Sequence, residues 1–212
     1  MRTQAIRLLA LAFGLISSAI PASTLPAADA KPLLGRWYSV ENSSVGVASV
    51  FEFHAGGVFD YSPANVVDMP YRVEGDALFL PSETKGGPEH KQTIDWVGED
   101  RIRLSAPGTL SLFLDRKAGS GPKKSIAGEW TGPRDIGGRS VQAVYQFRPG
   151  GRLLLVMVLL TSHGGYTLDG DKIQMAVPGK WSASGTYRVE GDTLTLSIVG
   201  QKGTQDSKYA RY

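Results

Sequence analysis

Apolar and polar residues alternate along most of the chain after residue 30, with the period of two that is typical of β-strands. In the segment 47–53, Phe51 and Phe53 fall on one face and Glu52 falls on the other. The segment 187–196 alternates in the same way across a turn. No sustained helical period occurs after residue 30, so the pattern predicts an antiparallel β-protein.

Short turns separate these runs, and the chain contains 26 Gly and 12 Pro. The strongest turn signal is an acidic residue followed by Gly and Asp, at 74–76, 169–171 and 190–192. Gly supplies the positive φ of a tight hairpin, and the acidic side chains bond nearby backbone. These segments lack the full ligand set of a calcium loop, so they are interpreted as turns.

Three sequence landmarks occur twice, 93 to 95 positions apart. They are LGRW at 34–37 and AGEW at 127–130, FHAGG at 53–57 and FRPGG at 147–151, and YRVEGD at 71–76 and YTLDGD at 166–171. A constant offset indicates duplication of one folding unit.

The repeat divides the chain into residues 31–116, a Gly-rich linker at 117–124, and residues 125–212. Each repeat offers about eight short strands, which is the strand number of a small closed barrel. The predicted fold is therefore all-β, with two consecutive small antiparallel β-barrels. The alternative is one merged sheet that spans both repeats.

The first thirty residues have the features of a signal peptide. Arg2 and Arg7 precede a short apolar run, and small residues follow, so cleavage is expected after Ala30 or after Ala22. A retained N-terminal membrane anchor is the alternative. With no Cys in the chain, disulfides and thiolate chemistry are excluded, which favours a bacterial periplasmic or secreted protein.

The formal net charge is +3, and it is +2 without the first thirty residues. Basic residues form no stripe, so nucleic-acid binding is not expected. No segment after the predicted signal peptide is long and apolar enough to predict a transmembrane helix.

One segment departs from alternation. Leu153–Leu160 is apolar at every position, so a strand there must be buried on both faces. Its outer face is expected to pack on the other repeat, on a second copy or protein partner, or on lipid.

The chain resembles the short bacterial type of lipocalin-like domain, in tandem. The matching features are a Gly-x-Trp opening, the Phe-x-x-Gly-Gly hairpin and a late strand that ends near an Arg. The signature residues are Gly35, Trp37 and Arg116 in the first repeat, and Gly128, Trp130 and Arg211 in the second. The resemblance implies that each first-strand Trp stacks on an Arg of its own repeat's last strand, Trp37 on Arg116 and Trp130 on Arg211.

Candidate chemistry is sparse. His54, His90 and His163 have no partner at a metal-ligand spacing and are interpreted as exposed loop residues, so no metal or cofactor is predicted. No nucleophile elbow or phosphate-binding loop occurs in the sequence, and an enzyme is the least favoured class. Trp96 and Trp181 are interpreted as core residues, with ligand stacking as the alternative.

Two functions remain. The first is an exported, non-catalytic protein that holds a small apolar or amphipathic ligand inside a barrel. The residues expected to line that barrel are Phe51, Phe53, Tyr145, Phe147, Leu155 and Met157. The second is an envelope structural or protein-interaction module with solid barrels, because the repeats are short and such barrels are filled by their own side chains.

Overall fold

The computed structural model describes residues 30–41, 47–82, 86–200 and 203–212. Within these ranges the protein has sixteen β-strands and no helix, which confirms the predicted all-β class. The predicted signal peptide lies outside the described residues except for Ala30.

Eight strands lie in the first repeat and eight in the second. Those of the first repeat are β1 Gly35–Ser39, β2 Val47–His54, β3 Val58–Pro70, β4 Arg72–Glu74, β5 Ala77–Leu80, β6 His90–Trp96, β7 Arg101–Ser105 and β8 Leu112–Arg116. Those of the second repeat are β9 Gly128–Ile136, β10 Arg139–Arg148, β11 Arg152–Val158, β12 Ser162–Asp169, β13 Lys172–Val177, β14 Trp181–Glu190, β15 Thr193–Gly200 and β16 Gly203–Arg211.

A closed antiparallel barrel of eight strands is built from both repeats. Its hydrogen-bonded order is β1-β2-β3-β12-β13-β14-β15-β16, and β16 returns to β1. Three strands come from the first repeat and five from the second. The prediction of consecutive barrels, each made from one repeat, therefore does not describe this barrel.

The other eight strands, β4 to β11, continue the same sheet. Beyond β3 the order is β11-β10-β9-β8-β7-β6-β5-β4, so all sixteen strands belong to one hydrogen-bonded system. This continuity agrees with the alternative of one sheet spanning both repeats.

The third strand connects the two groups of strands. Residues 58–61 of β3 pair with β12, and residues 64–70 pair with β11. The sequence pattern predicts a shorter strand, ending at Ser62. The observed strand continues because residues 62–68 (SPANVVD) contain no Gly and include Pro63, which favours extended backbone at Ser62.

Three apolar clusters follow from this arrangement. One fills the closed barrel, and a second lies among β4 to β11. The third is small and joins them: Val50 and Ala64 of the first repeat pack with Leu154 and Val156 of the second. The outer face of β2 is therefore buried at Ala48 and Val50, while Glu52 and His54 on the same face stay partly exposed.

Candidate functional site

All six residues predicted to line a barrel are buried, but they do not line a common interior. Phe51 and Phe53 belong to the cluster inside the closed barrel. The other four belong to the cluster among β4 to β11, and they are Tyr145, Phe147, Leu155 and Met157.

Aromatic rings occupy the interior of the closed barrel. The ring of Phe51 lies 5.2 Å from that of Tyr61 and 5.5 Å from that of Tyr209, measured between centroids. Phe53 meets Tyr166 edge-on at 5.3 Å. These are contact distances for aromatic pairs. Burial raises the pKa of Tyr209 to about 12, as expected for a phenol held away from water.

Trp181 also contributes to this core. Its ring lies 5.8 Å from that of Phe59 and 5.6 Å from that of Tyr61. Trp96 packs against Trp130 at 6.0 Å but is 37% exposed. The core interpretation therefore holds for Trp181, which packs on the barrel cluster, but not for Trp96, which is exposed.

Arg–Trp stacking is present, but the predicted partners are exchanged. The guanidinium of Arg211 lies 4.0 Å from the ring centroid of Trp37, and that of Arg116 lies 4.1 Å from that of Trp130. The pairing of Trp37 with Arg116 and of Trp130 with Arg211 is therefore wrong. The reason is topological: β1 lies beside β16, and β9 lies beside β8.

Each Arg also hydrogen-bonds to the backbone just before the strand that carries its partner Trp. Arg211 donates to the carbonyls of Leu34 at 2.7 Å and Pro32 at 2.6 Å. Arg116 donates to the carbonyls of Ala127 at 2.9 Å and Ser125. Gly35 and Gly128 have positive φ beside these guanidinium groups, where a Cβ would lie about 3 Å from the Arg Nη1. The signature residues thus act as structural anchors.

The apolar strand is covered from both sides, as its composition predicts. Leu153, Leu155 and Met157 point into the cluster among β4 to β11, whereas Leu154 and Val156 pack on the first repeat. Only the end of the predicted segment is exposed, at Leu159 (46%) and Leu160 (60%). Of the contacts expected for the outer face of this segment, packing on the other repeat is the one that the structure shows.

A partly buried ion pair lies between equivalent positions of the two repeats. Arg36 and Glu129 are the middle residues of the two Gly-x-Trp segments, and their side chains form a hydrogen-bonded salt bridge. Lys117 approaches the other oxygen of Glu129 at 3.2 Å. Burial opposes ionisation of Glu129, but hydrogen bonds and charge attraction from Arg36 and Lys117 together outweigh it and hold the pKa of Glu129 below its usual value.

Two of the three histidines meet at one carboxylate. His54 ends β2, His163 lies in β12 and His90 begins β6, so all three are strand residues and the loop interpretation is wrong. His54 Nε2 lies 3.1 Å from one oxygen of Asp60, and His163 Nδ1 lies 2.5 Å from the other. Glu52 completes the group, because its carboxylate oxygen lies within 4.8 Å of the ligand atoms of His54 and Asp60.

Sequence spacing could not reveal this His–carboxylate cluster (Glu52, His54, Asp60 and His163), because its members lie up to 111 positions apart. The pairing of strands brings them together. Asp60 of β3 lies directly opposite Glu52 on one side and His163 on the other. Partial burial opposes ionisation of Asp60, but hydrogen bonds to both imidazoles prevail and lower the pKa of Asp60 below its ordinary value.

A polar depression of about 290 Å³ lies on the outer surface of the closed barrel. Every residue that lines it carries a polar group, and these residues come from β14 to β16 and one turn: Asp171, Thr186, Tyr187, Arg188, Thr195, Ser197 and Asp206. Such a lining does not suit the apolar ligand expected inside a barrel.

Among the described residues, none belongs to a helix with the length and apolar character needed to cross a bilayer. Comparison of the chain with protein-family models, curated proteins and solved structures gave no significant match. The class that the fold defines is thus an all-β protein with one closed eight-stranded barrel and eight further strands.

Proposed function

We propose that the protein is an exported, non-catalytic interaction module whose barrel interior is filled by its own side chains. The observation that carries this proposal is the network of ring contacts inside the closed barrel, from Phe51 and Phe53 to Tyr209. The interior of an eight-stranded barrel is either filled by its own side chains or holds one small ligand, and the ring contacts support the first of these. A filled barrel binds its partners on the outer surface, so the barrel serves as a rigid support.

Packing of the six predicted lining residues supports the filled interior over the ligand-binding alternative. Each of them is at most 6% exposed, and each packs in a continuous apolar cluster. An apolar ligand would have to displace these side chains, and each displaced aromatic ring would lose its burial.

We also propose that β4 to β11 form a second barrel, related to the first by duplication and exchange of strands. The closing hydrogen bonds support this, because Tyr166 N donates to Gly57 O and Tyr71 N donates to Gly151 O at equivalent positions. Ala64 and Val158, also equivalent, face each other in the register of β3 and β11. An approximate two-fold axis through that pair would relate the two groups of strands.

The resemblance to lipocalin-like domains stays part of this proposal. Stacking of an Arg on each first-strand Trp supports it. Duplication supplies the exchanged partners, because two equivalent Arg residues are available to each Trp. Export, through residues 1–30, is tested by N-terminal sequencing of the mature protein recovered from a bacterial periplasm.

Binding of a small apolar probe tests the filled interior. The wild-type protein is titrated with benzene or xenon, followed by NMR, and the same is done with Phe53→Ala. The substitution opens a cavity among apolar neighbours, and such cavities stay dry and take up these probes. We expect saturable binding only in the variant.

The variant serves as the positive control, so a failure to detect binding in the wild type has meaning. Native mass spectrometry of protein purified from a bacterial host completes the test. Saturable probe binding by the wild type, or a small molecule retained at one equivalent, would reject the filled interior and restore the ligand-holding function.

A further inference from the structure

The His–carboxylate cluster lies on the outside of the closed barrel, where the two repeats meet. Glu52 and His54 are on β2, Asp60 is on β3, and His163 is on β12. The pairing of β3 with β12 closes the barrel. None of these four residues belongs to the apolar cluster inside the barrel, so the filled interior does not explain why they lie together.

Two carboxylates face each other in this cluster. Glu52 and Asp60 are direct cross-strand partners, and like charges in that arrangement destabilise a sheet. Arg36 lies opposite Glu52 on β1 and attracts it electrostatically, but its guanidinium hydrogen-bonds to Glu129. Among the described residues, Glu52 has no ion pair within 4 Å. A cation between Glu52 and Asp60 would remove this repulsion.

The ligand atoms already lie close to the spacing that a metal ion needs. Metal–ligand bonds of about 2.0–2.1 Å place the ligands of a tetrahedral Zn²⁺ roughly 3.3 Å apart. His54 Nε2 and Asp60 Oδ2 are 3.1 Å apart, and one ligand atom each from Glu52, His54 and Asp60 lie within 4.8 Å of one another. All three side chains are partly exposed, so small rotations can bring them together without disturbing the core.

We propose that Glu52, His54 and Asp60 bind a divalent transition-metal ion of the Zn²⁺ class. One imidazole with two carboxylates suits such an ion, whereas Ca²⁺ takes six to eight oxygen ligands. His163 holds the second oxygen of Asp60 and so orients that carboxylate toward the ion.

Bound metal would strengthen the seam between the repeats. Three ligands belong to β2 and β3 of the first repeat, and the residue that orients Asp60 belongs to β12 of the second. The equivalent positions on β10 and β11 are Gln146, Arg148 and Leu154, which do not form a metal site. The site is therefore specific to the closed barrel.

Calorimetric titration of Zn²⁺ into the intact protein, prepared without a polyhistidine tag, tests the proposal. We expect one equivalent to bind at pH 7.5, and a rise in melting temperature of about 5–10 °C at a hundredfold excess over the Kd. His54→Gln and Asp60→Asn should each weaken binding at least tenfold. His163→Gln should weaken it about 10- to 100-fold through loss of orientation.

His90 provides the matched control, because it is the one remaining histidine and lies on β6. His90→Gln should bind Zn²⁺ as the wild type does, and Mg²⁺ should produce no stabilisation. Bound Co²⁺ should show the visible absorption of a low-coordinate site.

A second measurement requires no variant. Addition of Zn²⁺ should shift the imidazole NMR signals of His54 and His163 and leave that of His90 unchanged. Melting temperatures of the variants in EDTA, where no metal is bound, show whether a substitution destabilises the fold itself or only weakens metal binding. The proposal is overturned if Zn²⁺ at ~1 mM, a concentration at which even very weak binding would be detected, produces neither heat nor a signal shift. It is also overturned if His54→Gln and Asp60→Asn bind as the wild type does.

Discussion

The ion pair between Arg36 and Glu129 gives the sharpest test of how the two repeats meet. The side chains are 16% and 8% exposed, and Glu129→Gln leaves the Arg36 guanidinium without its carboxylate. Breaking one side of a buried pair costs about 3–5 kcal/mol. Arg36 keeps its contact with the Tyr212 ring, 4.8 Å away, so we expect the lower end, about 3 kcal/mol.

That loss corresponds to a fall in melting temperature of about 6–12 °C for a chain of this size. Circular dichroism melts and urea titrations at pH 7 measure it. The pKa of Glu129 in the folded protein lies below its unfolded value of 4.5, so the stabilisation is present above pH 4.5 and is lost as the pH falls through the folded pKa. The difference between wild type and Glu129→Gln should therefore shrink on acidification below pH 4.5.

Charge reversal separates the pair from other effects at this position. Glu129→Arg places two guanidinium groups together and should destabilise more than Glu129→Gln. Adding Arg36→Glu should recover only part of that loss, because the new carboxylate would face Glu52 across β1 and β2 and Lys117 lies beside position 129. Glu99→Gln, which removes an exposed pair with Lys123, is the control and should leave the melting temperature unchanged. A melt of Glu129→Gln within 2 °C of the wild type (roughly 1 kcal/mol or less), or no recovery in the double variant, would refute the reasoning.

Three further outcomes are expected. Gly57→Ala should lower the melting temperature more than Gly56→Ala does. Both glycines have positive φ, but only a Cβ at Gly57 would lie 2.8 Å from the Tyr166 carbonyl oxygen. Equal melting temperatures for the two variants would contradict this. Stability should fall as the pH rises from about 10, the unfolded tyrosine value, toward the folded pKa of Tyr209 near 12, and Tyr209→Phe should reduce that loss in alkaline melts. Cleavage at a protease site placed in the linker 117–124 should leave one particle on size exclusion, because the closed barrel contains strands from both halves; separation into two folded fragments would contradict the observed topology.

Local sequence pattern predicted the strands and turns well. Alternation identifies most strands, because one face is buried and the other is wet, and the acid-Gly-Asp turns have the positive φ that hairpins require at Gly75, Gly170 and Gly191. The largest miss is β3, whose continuation to Pro70 is absent from the predicted strand. A usable signal is present, since 62–68 and 157–163 both lack the Gly that a tight hairpin favours.

Strand exchange could not be predicted, because the two repeats carry the same local signals. Trp37 could stack on Arg116 or on Arg211 with equal chemistry, and the hydrogen bond to Gly57 could come from Tyr71 or from Tyr166. Only the long-range pairing of β3 with β11 and β12 decides between these possibilities. The His–carboxylate cluster was missed for the same reason, since His163 reaches Asp60 only through that pairing.

Arg36 and Glu129 suggest why two different repeats in one chain suit this arrangement. Equivalent positions meet where the repeats join, so two identical units would bring like residues together there. Opposite charges at one equivalent position require units that differ, and they penalise pairing of either unit with a copy of itself. The burial of both side chains strengthens that penalty, because an unpaired or repelled charge loses its water without gaining a partner. This ion pair therefore favours assembly of the first repeat with the second over assembly of either repeat with itself.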